Sequence, residues 1–175
     1  AASDVYKRQI LDVRNNGGGN LTTAEKLAER FTNEKKLIGY MSYKTGPGHN
    51  EFSTPEAVYL EPPMDRVRWQ KHTVVLTNRR SYSATNDFVN RMKQLDRVTV
   101  IGDKTGGGSG LPFSSELPNG WSVRFSASPM YDPDMKHLEF GIEPDKKVDI
   151  TSEDYNKGID TIIEAAREYL HNHKQ

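Results

Sequence analysis

Two serines, Ser81 and Ser83, lie in a polar turn between an apolar run and a segment of helical periodicity. The β-branched run 73–77 predicts a buried strand, and apolar residues recur at helical spacing over 88–95. A hydroxyl group just before a helix lies near the unpaired backbone N–H groups and the positive end of the helix dipole. Because those N–H groups can hold an oxyanion, an acyl-transfer enzyme can place its nucleophile there. The alternative is that Ser83 only caps the helix, since serine is a common N-cap.

A second strand–turn–helix pattern lies near the start of the chain. The strand that begins at Ile10 runs into three consecutive glycines, 17–19, and Thr22 or Thr23 is expected to cap the helix that follows. Thr22 and Glu25 have the spacing of a capping box. Consecutive glycines allow positive φ angles and expose backbone N–H groups. A plain β–α turn has the same pattern, but the two units together suit a nucleophile beside an oxyanion hole.

Four motifs in this order resemble the S41 peptidases, the family of C-terminal processing proteases and the tricorn core. They are D-x-R-x-N-x-G-G, the serine turn, I-G-D-K-T-G-G-G and G-I-E-P-D, at residues 12–19, 76–88, 101–108 and 141–145. The resemblance covers nearly the whole chain from Ile10 onward and points to a branch common in envelope proteins of Bacteroides-like bacteria. It implies an α/β fold, the crotonase-like or ClpP-like spiral of repeated β–β–α units.

The resemblance also implies roles for residues of the two turns. Ser83 takes the position of the nucleophile. The backbone N–H groups of Gly19 and Ala84 take the position of the oxyanion hole, with Gly18 beside Gly19 in the glycine turn as a further backbone residue of the site.

The general base is where this sequence departs from the processing proteases. Their catalytic lysine falls on Gly108 here, and Lys104 is out of register. The tricorn-like branch instead uses a histidine from upstream of the strand at Ile10, together with a downstream glutamate. Glu139 lies close to that glutamate's position, and Glu143 is a weaker substitute. For either carboxylate the alternative is an ordinary surface residue.

Several further polar residues lie near these motifs. The hydroxyls of Ser81 and Ser109, with Gly108 in the same glycine loop as Ser109, are candidates for auxiliary roles. His49 and His72 precede the nucleophile but fall in no motif, so we expect loop or edge positions for both.

Composition excludes several classes of protein. The 175 residues suffice for a single core. Equal numbers of basic and acidic residues, 24 of each, argue against a nucleic-acid or acidic-membrane footprint. The absence of cysteine excludes a thiol nucleophile, a disulfide framework and a cysteine metal site. No histidine and carboxylate spacing fits metal ligands, so neither a metal nor another cofactor is expected.

The first nine residues do not read as natural sequence. Asp4 to Gln9 translate a transposon end used in sequencing libraries, and such a segment is set aside in fold reasoning. Residues 10–175 are then expected to form the core domain of a longer protein whose earlier part is missing. The resemblance implies a cell-envelope or periplasmic location, with a membrane anchor of lipoprotein type only in the missing part.

The remaining pattern predicts further elements of an α/β fold. A hairpin is expected at 113–125 with its turn at 118–120, and an amphipathic helix at 159–170. Further strands are expected at 37–43, 98–101 and 147–150.

Two functions follow from the sequence. The first is the core of a serine endopeptidase that hydrolyses peptides or unfolded proteins, with its base a histidine of the missing region, so that the fragment alone is inactive. The second is a catalytically inactive module on the same fold that binds peptides or small apolar ligands, which the glycine at position 108 favours. A histidine upstream in the intact gene would discriminate between them.

Overall fold

The computed structural model describes residues 8–64 and 68–173. Residues 1–7, most of the segment expected to be foreign, lie outside the described residues. In chain order the elements are β1 (Gln9–Asp12), α1 (Leu21–Ala28), β2 (Lys36–Met41), β3 (Glu56–Leu60), β4 (Thr73–Thr77), α2 (Ala84–Lys93), β5 (Val98–Gly102), β6 (Phe113–Glu116), β7 (Ser122–Phe125), β8 (Met130–Tyr131), β9 (Lys146–Lys147), α3 (Ser152–Asn156) and α4 (Thr161–Asn172).

The central sheet has four parallel strands in the order β1-β4-β5-β9. Asp12 at the end of β1 lies opposite Leu76 of β4, and Thr77 at the end of β4 lies opposite Gly102 of β5. Because parallel strands end at the same edge of a sheet, the glycine turn after β1 and the serine turn after β4 become neighbours. The predicted α/β class is confirmed.

Strand β4 is the centre of the core, and all five of its residues are buried. Its side chains alternate between the two faces of the sheet. Val75 belongs to a cluster with Phe88 and Met92 of α2, whereas Val74 and Leu76 pack against α4. The buried residues of α4 recur at every fourth position, at Ile162, Ala166 and Leu170. The predicted apolar stripe of this helix is therefore confirmed.

Two smaller sheets complete the fold. Strands β3, β2 and β8 form an antiparallel sheet, and β6 and β7 form a two-stranded hairpin of their own. The hairpin turn is closed by Leu117 and Trp121, whose backbone N–H and carbonyl groups are 2.8 Å apart, which confirms the predicted turn. None of the helices in residues 8–64 and 68–173 has the length and apolarity needed to cross a bilayer.

Three predicted boundaries are wrong because a nearby side chain or partner strand sets them. Asn20, not Thr22 or Thr23, caps α1, since its Oδ1 accepts the Thr23 N–H at 3.0 Å. Asn is at least as good an N-cap as Thr. The last helix begins at 161 rather than 159 because Asp160 caps it. The last strand covers only 146–147, where it pairs with the end of β5.

An ion-pair cluster joins the end of β1 to the start of α4. Arg14 donates to both carboxylate oxygens of Asp12, at 2.9 and 2.6 Å, and to Oδ1 of Asp160 at 3.1 Å. The same Asp160 oxygen accepts the N–H groups of Ile162 and Ile163, each at 3.1 Å. Hydrogen bonds from Arg14 hold the pKa of Asp12 and of Asp160 below the usual range of an aspartate.

This cluster predicts a contribution to stability that depends on pH. A carboxylate whose pKa is lower in the folded chain stabilises the fold above its unfolded pKa of about 4, and loses that contribution as the pH falls through its folded pKa. Arg14→Gln should lower the free energy of unfolding by about 2 kcal/mol at pH 7, a value discounted for partial exposure. Urea unfolding at pH 7 and pH 3 should show this difference shrinking at the lower pH. A difference that does not change with pH would contradict the prediction.

Candidate active site

Ser83 immediately precedes α2 and adopts an unusual backbone conformation, with φ 58° and ψ −126°. A positive φ is strained for an L-residue other than glycine and costs about 1–3 kcal/mol. The Ser83 side chain makes no hydrogen bond to the helix. The interpretation of Ser83 as a simple N-cap is therefore wrong, and its hydroxyl remains available for other chemistry.

Ser83 lies where two grooves meet. The first groove, of about 240 Å³, is mainly apolar, with Leu21, Ala84, Leu111 and Met130 among its walls. The second groove, of about 500 Å³, is more open and runs past the glycine turn and the hairpin. Five residues line both grooves: Gly19, Ser83, Gly108, Pro112 and Arg124. A chain crossing from one groove to the other would pass the Ser83 hydroxyl.

The turn that carries the serine is held from both sides. The Tyr82 N–H donates to the Asn16 carbonyl at 3.0 Å, and the Ser83 N–H donates to the Gly107 carbonyl at 2.8 Å. The first bond comes from the turn after β1 and the second from the glycine loop after β5. These bonds offset the strain at Ser83 and fix its position between the two loops.

Ser81 has a structural role in the same turn. It is fully buried, and its hydroxyl donates to the Val13 carbonyl at 2.9 Å and accepts the Asn78 N–H at 3.2 Å. Since the Ser81 hydroxyl already donates its proton to a backbone carbonyl, it is not available to donate a hydrogen bond to a catalytic residue or a substrate. The prediction of an auxiliary catalytic role for Ser81 is therefore not supported by its contacts.

The glycine turn provides two unused N–H groups beside Ser83. Gly19 and Ala84 line the first groove with Ser83, and within the described chain neither N–H has an acceptor. Gly18 differs, because its N–H donates to Asn16 Oδ1 at 3.0 Å. A Cβ at Gly18 would lie 2.8 Å from both Ser83 Cβ and the Ala84 nitrogen. Gly18 thus allows the glycine turn to approach the serine turn closely, and its own N–H is already bonded to Asn16. Gly19 and Ala84 remain as the candidate oxyanion donors.

Asn16 is a positioning residue to which the sequence patterns assigned no role of its own. Its Oδ1 accepts from the Gly18 N–H at 3.0 Å and from Thr85 Oγ1 at 2.8 Å, and its carbonyl accepts from Tyr82. One side chain therefore joins the glycine turn to the first turn of α2. The available signal was its place as the asparagine of the D-x-R-x-N-x-G-G motif, between a strand end and a glycine run.

The structure gives a physical reason for the glycine at position 108. Gly108 has φ 76°, and a Cβ there would overlap the Tyr82 ring. A lysine at this position would therefore require the half-exposed Tyr82 ring to move. Lys104 forms an ion pair with Glu143, with its Nζ 3.0 Å from Glu143 Oε1. No lysine of the described residues lines either groove, and Glu143 lines neither.

Ser109 lines the first groove together with Ser83, and its nearly buried hydroxyl also belongs to a polar network. Asn86 of α2 donates to Ser109 Oγ at 2.8 Å and to the Leu138 carbonyl at 3.1 Å. Thr105 donates to Asn86 Oδ1 at 2.5 Å and accepts the Ile142 N–H at 2.7 Å. The network anchors the glycine loop to α2 and to the segment 138–142. These contacts favour an anchoring role for Ser109.

Glu139 lies behind the glycine loop. Its carbonyl accepts the Gly108 N–H at 3.1 Å, and its Oε2 lies 3.5 Å from Ser126 Oγ. Ser126 lines the second groove with Ser83, whereas Glu139 lines neither groove. The carboxylate is therefore next to the groove wall, and its predicted catalytic role stays a prediction.

No histidine of residues 8–64 and 68–173 lines either groove. His137 accepts the Glu139 N–H at its own Nδ1, 3.1 Å away, and packs against Tyr131. His72 lies beside the ring of His173, with ring centroids 6.0 Å apart. The described residues thus bring together a candidate nucleophile and two candidate oxyanion donors, and no histidine or lysine among them lines the two grooves.

A family model decides the relationship of this chain to known proteins. The model for peptidase family S41 matches residues 2–148. This chain belongs to peptidase family S41. The resemblance inferred from the four motifs is thereby confirmed, and family membership supports a serine protease.

Curated relatives and solved structures agree with this assignment. A "Probable CtpA-like serine protease" of Staphylococcus saprophyticus is 27% identical over 150 residues, which are 85% of this chain and 29% of that protein. A candidate peptidase from Parabacteroides merdae is 62% identical, with a TM-score of 0.89 over 94% of this chain and 52% of that one. Mature CPAF, at 17% identity, shares the fold with a TM-score of 0.81 over 97% of this chain and 45% of its own. The chain therefore spans about three tenths of the curated relatives that it matches.

Proposed function

We propose that this chain supplies the nucleophile and the oxyanion hole of a serine endopeptidase. The observation that carries the proposal is the strained Ser83. Within the part of the chain that the structure describes, neither its hydroxyl nor the neighbouring N–H groups of Gly19 and Ala84 have a hydrogen-bond partner. Ser83 Oγ attacks the peptide carbonyl, and the oxyanion that forms accepts hydrogen bonds from both N–H groups. Each such donor contributes about 3–4 kcal/mol to transition-state stabilisation in comparable enzymes.

The general base in this proposal is a histidine from a segment that precedes Ile10 in the complete protein. It removes the Ser83 proton and then protonates the leaving amine, after which water hydrolyses the acyl-enzyme. Glu139 orients this histidine, either directly or through Ser126, whose hydroxyl lies 3.5 Å from the carboxylate. The steric overlap at Gly108 supports a histidine over a lysine. We therefore expect no turnover by this chain alone.

The substrate in this proposal is an extended peptide or an unfolded protein segment. Two adjoining grooves that share Ser83 in their lining suit a chain that passes through the site. The net charge of zero does not favour a nucleic-acid partner. A location in the cell envelope fits the CtpA-like names of the relatives and a fold neighbour called a lipoprotein from Streptococcus agalactiae.

Covalent labelling tests the nucleophile. The full-length protein should react with a fluorophosphonate probe, and Ser83→Ala should abolish the labelling while the folded fraction stays unchanged. Ser114→Ala is a matched control, because Ser114 is an exposed serine on the hairpin that lines neither groove. Labelling that survives in Ser83→Ala would place the reactive group elsewhere and overturn the assignment.

A second function is favoured by the missing base. If neither the wild type nor Ser83→Ala is labelled although both are folded, the protein is better explained as a binding module that holds peptides or small apolar ligands. The glycine at position 108 and the apolar walls of the first groove are the observations that favour this alternative.

A further inference from the structure

We infer that Arg124 is a specificity determinant that recognises a carboxylate of the bound peptide. This inference rests on the proposed function in that the grooves at Ser83 hold a peptide, but it does not require that the peptide is cut. Arg124 lies on β7 and is one of the five residues that line both grooves. Arg124 therefore borders the path of a chain bound in either groove.

The positive charge of Arg124 is not compensated by the protein. Within the described chain its guanidinium has no hydrogen-bond or ion-pair partner. Its cross-strand neighbour on β6 is Ser114. Glu116, two residues further along the same strand, lies opposite Ser122 and does not pair with Arg124.

Among the described residues that line the two grooves, the one other side chain charged at neutral pH is Asp87, and it does not change this balance. Asp87 Oδ2 accepts from Arg91 Nε at 2.6 Å, and both side chains are almost fully buried. The remaining lining is glycine, serine, proline and apolar or aromatic side chains. Of the side chains in residues 8–64 and 68–173 that line the grooves, Arg124 is thus the one with an exposed charge, and that charge is positive.

A guanidinium is well suited to bind a carboxylate. It is planar, stays protonated at any physiological pH, and can donate two parallel hydrogen bonds to the two oxygens. Because Arg124 lines both grooves together with Ser83, the carboxylate must lie within a few residues of the peptide bond presented to Ser83. It can come from an acidic side chain or from a free C-terminus, and both offer the same chemistry.

Peptide binding measured by fluorescence anisotropy tests this assignment without relying on turnover. The experiment uses full-length protein with Ser83→Ala and a series of labelled decapeptides in which one glutamate, or one glutamine, occupies each position in turn. A second series has an amidated C-terminus. We expect glutamate at one or two positions, or the free C-terminus, to strengthen binding by about tenfold at low salt, and by less at high salt.

Substitutions at Arg124 separate the outcomes. The preference should vanish in Arg124→Gln, reverse in Arg124→Glu and persist in Arg124→Lys. Arg167→Gln is the matched control, because Arg167 is an exposed arginine on α4 that pairs with Glu164 outside the grooves.

The two peptide series identify the source of the carboxylate. If glutamine in place of glutamate removes the preference, the bound carboxylate belongs to an acidic side chain. If amidation removes it, the bound carboxylate is the free C-terminus. The inference would be overturned if the preference for a carboxylate were unchanged in Arg124→Gln. It would also be overturned if the Ser83→Ala protein that keeps Arg124 showed no such preference. Fluorophosphonate labelling of Ser83 in Arg124→Gln reports separately on the nucleophile.

Discussion

Replacing Gly18 by alanine is expected to lower kcat/KM of the full-length peptidase by about 100-fold or more, the scale of losing one oxyanion donor. The added Cβ would lie 2.6 Å from the Tyr82 carbonyl oxygen and 2.8 Å from Ser83 Cβ. Gly18 also has φ 97°, which an alanine rarely adopts. The glycine turn must therefore move away from the serine turn, and the Gly19 N–H moves with it.

Gly17→Ala is the matched control for this prediction. A Cβ at Gly17 meets no heavy atom within 4 Å, and the residue is not in the left-handed region. We expect activity within about twofold of wild type, since a surface substitution without contacts has small effects. We would measure kcat/KM with a fluorogenic peptide on folded protein. Equal losses of kcat/KM in the Gly17 and Gly18 variants would show that the close approach of Gly18 to Ser83 does not cause the loss of activity.

Arg91→Ala is expected to lower the free energy of unfolding by about 3–5 kcal/mol, the cost of breaking a buried ion pair. Arg91 is 3% exposed and lies 2.6 Å from Asp87 and 3.4 Å from Glu25. Burial raises the pKa of Asp87, and the nearby Arg91 charge opposes that rise. Without Arg91 the carboxylate is left buried and unpaired. Urea denaturation at pH 7 measures the loss.

The pH dependence distinguishes this mechanism from a simple loss of packing. An aspartate whose folded pKa is raised binds its proton more tightly in the folded state, so its destabilising effect is present at neutral pH and is relieved as the pH falls. The deficit of Arg91→Ala should therefore shrink on acidification toward pH 5, and Asp87→Asn in the same chain should remove part of it. Arg167→Ala, which breaks an exposed pair with Glu164, should cost less than about 1 kcal/mol.

The local structure around the serine could be predicted because its signals are local. The β-branched run predicted the strand over the residues that β4 occupies, Thr73–Thr77. The helix after it was predicted by apolar periodicity, and the hairpin by its turn residues. The S41 resemblance added what periodicity cannot provide, which is that the turn after β1 and the turn after β4 belong to one site.

The remaining details depend on contacts between distant parts of the chain. Ser81 could not be recognised as structural because its acceptor, the Val13 carbonyl, is brought close only by the pairing of β1 with β4. The reason for a glycine at position 108 is the Tyr82 ring, which a sequence pattern does not reveal. Asn20, and not Thr22 or Thr23, caps α1 because its Oδ1 accepts the Thr23 N–H. The sequence alone does not show which of these side chains makes that hydrogen bond.

The parallel pairing of β1 with β4 has a consequence for the folding of the candidate site. The strand that leads to Gly19 and the strand that leads to Ser83 and Ala84 are separated in the chain by α1, β2 and β3, so their ladder closes a long loop. Contacts between distant segments form late in folding. The Gly19 N–H and the Ser83 hydroxyl therefore come into register only once this ladder has closed. A partly folded chain would carry both turns without the arrangement that the proposed hydrolysis needs.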